Sequence, residues 1–328
     1  MKSRVLYFQA PRRTEVRTED VHEPRDGEVL VETELSAISA GTELLLYRGE
    51  VPPGTVLDES LPSLAGTVSY PLAYGYAAVG KVVARGESAP SELLGRRVFA
   101  FEPHRSHFLA RASELHLVPD EVPSESAALL PTFETAVGFL QDARPMMGER
   151  VLVVGQGVVG LVTTALLARF PLSRLVTVDR LEPRRRISIE AGAARSCAPE
   201  DLDERDFDLT FELSGSPAAL DVALAATGFE GRVIVGSWYG GKRAEVDLGT
   251  HFHRGRLRIL SSQVSRLSGH LLSRWTKERR MKVALQTVAS LPVQDLVSHR
   301  FPIERAAAAY RLLDESPEAC LQVLLTYT

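Results

Sequence analysis

The stretch "VLVVGQGVVGLVTTALLA" (residues 151–168) decides the fold of this 328-residue chain. It begins with a run of apolar, β-branched residues and continues into a segment that is apolar on nearly every side, which predicts a buried strand followed by a helix packed on a sheet. Gly155, Gly157 and Gly160 mark the turn between them with the spacing G-x-G-x-x-G. This spacing predicts a dinucleotide site, because the backbone can approach a pyrophosphate and the helix directs its free N–H groups at it.

An acidic residue in the expected place strengthens this prediction. Asp179 ends the next strand-like run, "LVTVD" (175–179), nineteen residues after Gly160. An Asp at this point accepts hydrogen bonds from the adenosine ribose and repels a 2′-phosphate, so NAD is the predicted cofactor. The basic residues Arg180 and 184–186 leave NADP as the less favoured alternative. The predicted set at the turn comprises Gly155, Gly157, Val158, Val159, Gly160, Asp179 and Arg180.

Strand-like runs alternate with helical stretches after residue 150, which predicts a parallel, doubly wound sheet. The runs are "VLVVG" (151–155), "LVTVD" (175–179), "DLTFEL" (208–213), "GRVIVG" (231–236) and "RLRILSS" (256–262). Ligands of such sheets lie at the carboxyl ends of the strands. Polar residues that follow these strands are therefore predicted to face the ribose and nicotinamide, namely Ser214, Ser237, Tyr239 and Ser261.

The two ends of the chain have a different pattern. Residues 1 to about 120 read as short strands separated by Gly, Pro and Ser clusters, which predicts a mainly β unit. After residue 265, an amphipathic helical stretch (268–290) leads to a strand, a helix and a last apolar strand, for which the N-terminal unit is the expected sheet partner. The predicted domains are 1–122, 123–265 and 266–328, with the last segment completing the first domain.

Composition narrows the class of protein. Hydrophobic residues make up 45% and charged residues 24%, a globular balance. The formal charge of −4 and the pI near 6.1 give no electrostatic basis for binding nucleic acid or a membrane surface. Two cysteines, Cys197 and Cys320, exclude a disulfide framework and fit a reducing compartment. Because no signal-peptide pattern or long apolar run occurs, we expect a cytoplasmic protein.

Four segments together resemble the medium-chain dehydrogenase/reductase family over nearly the full length. They are "SAISAGTELLLYRG" (36–49), "YPLAYGYAAVGKV" (70–82), "PMMGERVLVVGQGVVGL" (145–161) and "DLVSHRFPIERAAAAYRLLD" (295–314). The resemblance implies an α/β protein with a GroES-like, mainly β catalytic domain and a doubly wound, parallel-sheet Rossmann domain. The "ISAGTE" and "GY" pair is also similar to the branch that contains bacteriochlorophyllide dehydrogenases.

The positions that hold catalytic zinc in zinc-dependent members of this family carry other residues here. The resemblance places Ala40 at the first ligand position and Tyr76 at the second, with Ala77 in place of its acidic neighbour. The third falls near Pro131, where Glu134 is the only acid close by. Zinc needs thiolate, imidazole or carboxylate ligands, so we predict no metal and a zinc-lacking member.

Without zinc, side chains have to provide proton transfer. The resemblance places Thr42 at the proton-relay position and gives Glu43 an orienting role. Tyr76 replaces a metal ligand and is a candidate acid, although it could simply fill the vacant pocket. His104 is a second candidate, because imidazole titrates near neutral pH, although it could be a surface-loop histidine. Thr135 lies in the stretch that resembles the nicotinamide-contacting helix.

The predicted function is zinc-independent hydride transfer between NAD(H) and an alcohol or carbonyl of a small-molecule substrate. Two alternatives remain: a quinone or enone C=C reductase of the same family, and a catalytically inactive dinucleotide-binding protein. The family resemblance also implies a homodimer formed by pairing of the "RLRILSS" strand with its twin. The stretch "RWTKERR" (274–280) is predicted to be a solvated helix face.

Overall fold

A computed structural model describes residues 1–291 and 294–327. The chain forms two compact units: a first unit of Met1–Pro131 with Val288–Thr328, and a second unit of Thr132–Thr287. Both boundaries fall later than those expected from the sequence, at 122/123 and 265/266. Ser124, which follows the first expected boundary, donates a hydrogen bond to Glu34 of the first unit over 2.8 Å.

The regular elements follow one another as short strands, a strand–helix alternation and a return. The strands are β1 (Lys2–Ala10), β2 (Arg13–Asp20), β3 (Glu28–Ile38), β4 (Leu72–Ala73), β5 (Ala78–Arg85), β6 (Arg97–Ala100), β7 (His107–Arg111), β8 (His116–Leu117), β9 (Arg150–Val154), β10 (Arg174–Val178), β11 (Arg195–Cys197), β12 (Phe207–Glu212), β13 (Thr227–Val235), β14 (Arg258–Ser261), β15 (Val297–Pro302) and β16 (Gln322–Thr326). The α-helices are α1 (Ala40–Arg48), α2 (Ser124–Ala127), α3 (Leu130–Ala143), α4 (Val158–Leu167), α5 (Glu182–Glu190), α6 (Ala219–Ala226), α7 (His251–Arg254), α8 (Lys277–Ser290) and α9 (Ala306–Glu315).

The second unit is built on a parallel sheet with the order β11-β10-β9-β12-β13-β14. Its central strands are buried on both faces, as expected for apolar runs such as "VLVV". The chain order reverses between β9 and β12, which is the switch point where ligands of doubly wound sheets bind. The predicted fold class is confirmed in this unit.

Close contact between strand and helix depends on two glycines. A Cβ at Gly160 would lie 2.0 Å from the carbonyl oxygen of Gly155, so only glycine lets α4 pack this near to the turn. Gly155 has a φ of +94°, and a Cβ there would lie 2.5 Å from Cα of Ser214. The turn between β9 and α4 therefore has no room for side chains at either position.

The first unit is mainly β, as predicted. One sheet has the order β2-β1-β4, and a larger sheet has the order β15-β16-β3-β5-β6-β8, with β7 also pairing with β3. The last strand, β16, pairs with β3 with Val323 opposite Ile38, so the C-terminal return completes the N-terminal sheet as expected. Phe8, Tyr47 and Tyr310 pack ring against ring in its core.

Two local features depart from the short strands and the solvated helix face expected from the sequence. The segment after Ile38 is a helix, α1, which ends at Gly49 with a φ of +74°. The stretch 274–280 is not fully solvated, because Arg280 is 2% exposed and its guanidinium binds Glu134 of α3 over 2.7 Å. An Arg at such a depth needs a charged partner, and periodicity cannot show where one lies.

No helix among the described residues is both long and apolar enough to cross a lipid bilayer.

Alkaline pH is expected to destabilise the first unit. Burial raises the pKa of Tyr74, Tyr310 and Tyr327 above the ordinary value of 10. Below pH 10 both states keep these protons; above it the unfolded chain loses protons that the folded chain retains, so the free energy of unfolding falls as pH rises. Urea unfolding at about pH 8 and about pH 11 measures this slope. Tyr310→Phe and Tyr327→Phe should each flatten it, and unchanged slopes in both variants would contradict the argument.

Candidate functional site

The glycine turn of the second unit presents an open helix N-terminus. Gly157 is the N-cap of α4, and Val158 and Val159 at its first turn are partly exposed. A Cβ added at Gly157 would have no neighbour nearer than Nη1 of Arg184, at 3.9 Å. The space beside Gly157 is therefore available to a ligand, and the helix dipole favours an anionic one. The residues at this turn fit a pyrophosphate.

Asp179 is fixed beside this turn. Its Oδ2 accepts the backbone N–H of Gln156 over 2.7 Å, and its Oδ1 accepts that of Leu181 over 2.8 Å. The carboxylate lies at the end of β10, where the ribose of a bound dinucleotide is expected. Arg180, the next residue, is exposed.

A carboxylate that was not predicted from the sequence connects the segments that follow β12 and β13. Glu212 is fully buried at the end of β12; its Oε1 accepts the backbone N–H of Ser214 over 2.8 Å, and its Oε2 accepts the hydroxyl of Tyr239. Ser237 accepts the backbone N–H of Gly215 over 2.9 Å. Burial, followed by the bond to Glu212, raises the pKa of Tyr239. The only available sequence signal was an acid that ends an otherwise apolar strand.

The other two predicted cofactor residues lie elsewhere in the second unit. Ser261 is the exposed last residue of β14, and Thr135 is partly exposed in the first half of α3. Neither belongs to the cluster around Glu212, and their cofactor roles stay predictions.

In the first unit, Glu43 and His104 form a buried pair. Both are 0% exposed, and Nε2 of His104 lies 3.0 Å from Oε2 of Glu43. Nδ1 of His104 lies 2.7 Å from the hydroxyl of Ser36, which lies 2.7 Å from the hydroxyl of Tyr327. Tyr310 donates a hydrogen bond to the same Glu43 oxygen. The alternative that His104 is a surface-loop histidine is wrong.

Beside this pair, three hydroxyl groups meet. Tyr76 donates a hydrogen bond to the hydroxyl of Ser39, the residue before α1. Burial raises the pKa of Tyr76 to about 12, while its hydrogen bonds with Ser39 and Thr42 act in the opposite direction. Tyr76 also packs against the core of the first unit, so it both fills space and presents a partly exposed phenol. Ser39 was missed, because nothing in the local sequence distinguishes it from an ordinary helix cap.

The positions expected to hold zinc in relatives do not fit the metal. Ala40 and Ala77 carry no donor atom, and the carboxylate of Glu134 is committed to Arg280. Among residues 1–291 and 294–327, no group of three or more His, Cys, Asp or Glu side chains could hold a metal ion.

Comparisons with known proteins agree with this architecture. No family model matches the chain. The chain is 27% identical to the 2-desacetyl-2-hydroxyethyl bacteriochlorophyllide A dehydrogenase of Cereibacter sphaeroides, with 100% of this chain and 99% of the relative covered.

Two solved structures share the fold. L-idonate 5-dehydrogenase from Escherichia coli superposes with a TM-score of 0.81 at 17% identity and covers 100% of this chain and 99% of its own. A protein from E. coli CFT073 that is described as a short chain alcohol dehydrogenase, complexed with NADH, gives a TM-score of 0.79 at 18% identity, with 99% of each chain covered. Over its full length the chain is therefore similar to alcohol dehydrogenase-like oxidoreductases, and it shares their fold.

Proposed function

We propose that this protein is a zinc-independent oxidoreductase that transfers a hydride between NAD(H) and an alcohol or carbonyl substrate. The observation that carries the proposal is the hydroxyl cluster of Tyr76, Ser39 and Thr42. The family resemblance assigns Tyr76 to a position that holds the metal in zinc-dependent relatives. The chain combines an intact dinucleotide turn with a proton donor in place of a Lewis acid.

The second unit would hold the dinucleotide. The first turn of α4, beginning at Val158, would bind the pyrophosphate, and Asp179 would bind the adenosine ribose. The charge of Asp179 favours NAD over NADP, because a 2′-phosphate would face a carboxylate. The bound nicotinamide supplies or accepts the hydride. The exposed Arg180 keeps NADP as the alternative cofactor.

Tyr76 would act as the proton donor. With a pKa of about 12, its phenol is protonated at neutral pH, yet it is far more acidic than an alcohol. It can therefore give its proton to the alkoxide formed during carbonyl reduction, and its phenolate can take one back during alcohol oxidation. Thr42 and Ser39 orient the phenol. No step requires a metal, and the side chains at the expected ligand positions, Ala40, Tyr76 and Ala77, include no thiolate, imidazole or carboxylate.

The name of the full-length relative indicates which substrates to test first. The full-length relative is named for a hydroxyethyl group on bacteriochlorophyllide, so secondary alcohols with a hydroxyethyl group on a ring, and the matching acetyl compounds, are the first substrates to test. We also infer a cytoplasmic location, which the two buried free cysteines support.

Cofactor binding should depend on Gly157 and Asp179. Gly157→Val should weaken NADH binding by roughly tenfold or more, because the side chain would occupy the space next to the phosphates. Asp179→Asn should narrow the preference for NADH over NADPH. Fluorescence titration measures both, with Gly269→Ala as the matched control because its added Cβ meets no atom within 4 Å. Absence of binding of either dinucleotide to the wild type would overturn the proposal.

Tyr76→Phe should reduce kcat by roughly 10²–10⁴-fold and leave the Kd for NADH unchanged, because only the proton donor is lost. Tyr47→Phe is the control, since it removes another buried phenol of the same unit. Steady-state rates are measured with ketones, aldehydes, quinones and enones, with and without a zinc chelator.

Three outcomes would contradict the proposal. Turnover of enones or quinones alone would identify a C=C reductase, and dinucleotide binding without any turnover would identify a binding protein. Loss of activity in the presence of the chelator would refute zinc independence.

The protein is further proposed to be a homodimer. Strand β14 is an edge of the parallel sheet, all four of its residues are exposed, and Ile259 and Leu260 present apolar side chains there. An exposed apolar edge strand is a template for pairing with a second copy. The proposed partners are thus a small-molecule substrate and a second chain, with no role for nucleic acid or membrane.

Replacing both Ile259 and Leu260 with Glu should convert the dimer to a monomer of 35.9 kDa, because like charges would face each other across the two-fold axis. Light scattering after size exclusion measures the mass. Leu248→Glu, at another exposed apolar position of the same unit, is the control. A wild-type protein that is monomeric at micromolar concentration would contradict this.

A further inference from the structure

Five side chains form a continuous buried network in the first unit. The fully buried members are Ser36, Glu43, His104 and Tyr310, and Tyr327 is 7% exposed. Their hydrogen bonds run from Tyr327 through Ser36 and His104 to Glu43, which Tyr310 also contacts. The hydroxyl cluster of Tyr76 needs only its own residues, so the proposed function leaves this network without a role.

Both ring nitrogens of His104 have hydrogen-bond partners within the network. When Nε2–H of His104 donates to Glu43, its Nδ1 accepts from Ser36, and Ser36 in turn accepts from Tyr327. Each donor then has one acceptor, as a buried polar network requires. His104 has no ring nitrogen left for a substrate.

The pair joins the two segments that carry the hydroxyl cluster. Oε1 of Glu43 accepts the backbone N–H of Ser39 over 2.7 Å, which fixes the start of α1. The backbone N–H of His104 donates to the carbonyl of Tyr74 over 3.1 Å. Its ring lies against Gly75, where a Cβ would be only 2.7 Å from the imidazole. His104 therefore supports the turn that presents Tyr76.

We propose that Glu43 and His104 are positioning residues, whose buried hydrogen bond holds Tyr76 against Ser39 and which do not themselves exchange a proton with the substrate. This inference rests on the proposed function for the role of Tyr76. It assigns His104, a candidate acid by sequence, to a support role.

The groups that face Tyr76 define what the test should measure. Burial contributes most to the raised pKa of Tyr76, the hydroxyls of Ser39 and Thr42 lower it, and the charges of Glu43 and Asp58 raise it by smaller amounts. The ring of Tyr74 packs edge-on, with centroids 6.0 Å apart. Loss of the Glu43 charge should therefore move the titration of Tyr76 to lower pH. A neutral residue at position 104 that keeps the hydrogen bond to Glu43 should leave that titration unchanged.

The experiment uses the full-length protein labelled with ¹³Cζ-tyrosine, with Tyr76→Phe to assign the resonance. His104→Gln can still donate to Glu43, so we expect an unmoved Tyr76 titration and a kcat loss below about tenfold. His104→Ala removes the support and should shift the titration and lower kcat further, and Glu43→Gln should shift it to lower pH. All these losses should stay below the roughly 10²–10⁴-fold that removing a general acid costs.

Two results would overturn the inference. One is a loss in His104→Gln as large as in Tyr76→Phe, which would make His104 itself the acid. The other is a Tyr76 titration that stays unchanged in both His104→Ala and Glu43→Gln. NADH binding by each variant shows that the second unit is folded. Failure of the proposed function looks different, because Tyr76→Phe would then keep full activity or the wild type would show no turnover, and the titrations would still report on positioning.

Discussion

Burial of the Glu43 carboxylate is the constraint on which the first unit depends. A carboxyl group removed from water is costly unless its oxygens receive hydrogen bonds. Glu43 receives them from Ser39, His104 and Tyr310, which belong to the start of α1, the segment after β6 and the C-terminal return. The same residue therefore joins distant parts of the chain and places the hydroxyl cluster.

In the second unit, the glycines of the turn between β9 and α4 are the corresponding constraint, because they have no side chain. Gly160 lets α4 approach β9 to a distance that no Cβ permits, and Gly157 leaves the helix N-terminus open. The packing requirement, at Gly160, and the proposed binding requirement, at Gly157, thus fall three residues apart in one turn. Glu212 accepts hydrogen bonds from Ser214 and Tyr239, which follow β12 and β13, and so connects separate segments, as Glu43 does in the first unit.

The proposed function requires proton transfer without a metal. A zinc ion would polarise the substrate oxygen, and its removal leaves that oxygen in need of a proton donor. Under the proposed function, the Tyr76 phenol, whose pKa burial raises to about 12, would provide that proton. A proton donor has to be held in a fixed orientation, and the proposed role of the buried Glu43–His104 pair is to hold Tyr76 in place.

The sequence by itself determined the features that depend on near neighbours. Strand β9, the glycine spacing and Asp179 follow from local periodicity and turn geometry, and the parallel sheet follows from their repetition. The lack of zinc ligands at Ala40 and Tyr76 was also readable once the family resemblance was recognised. Only the tertiary structure revealed that Ser39 contacts Tyr76 and that Tyr310 contacts Glu43. It also revealed the hydrogen bonds of Glu212 after β12 and β13, and the partner of Arg280. These contacts join residues as many as 267 positions apart, and a buried polar group selects its partner by position in space, which no local pattern in the chain encodes.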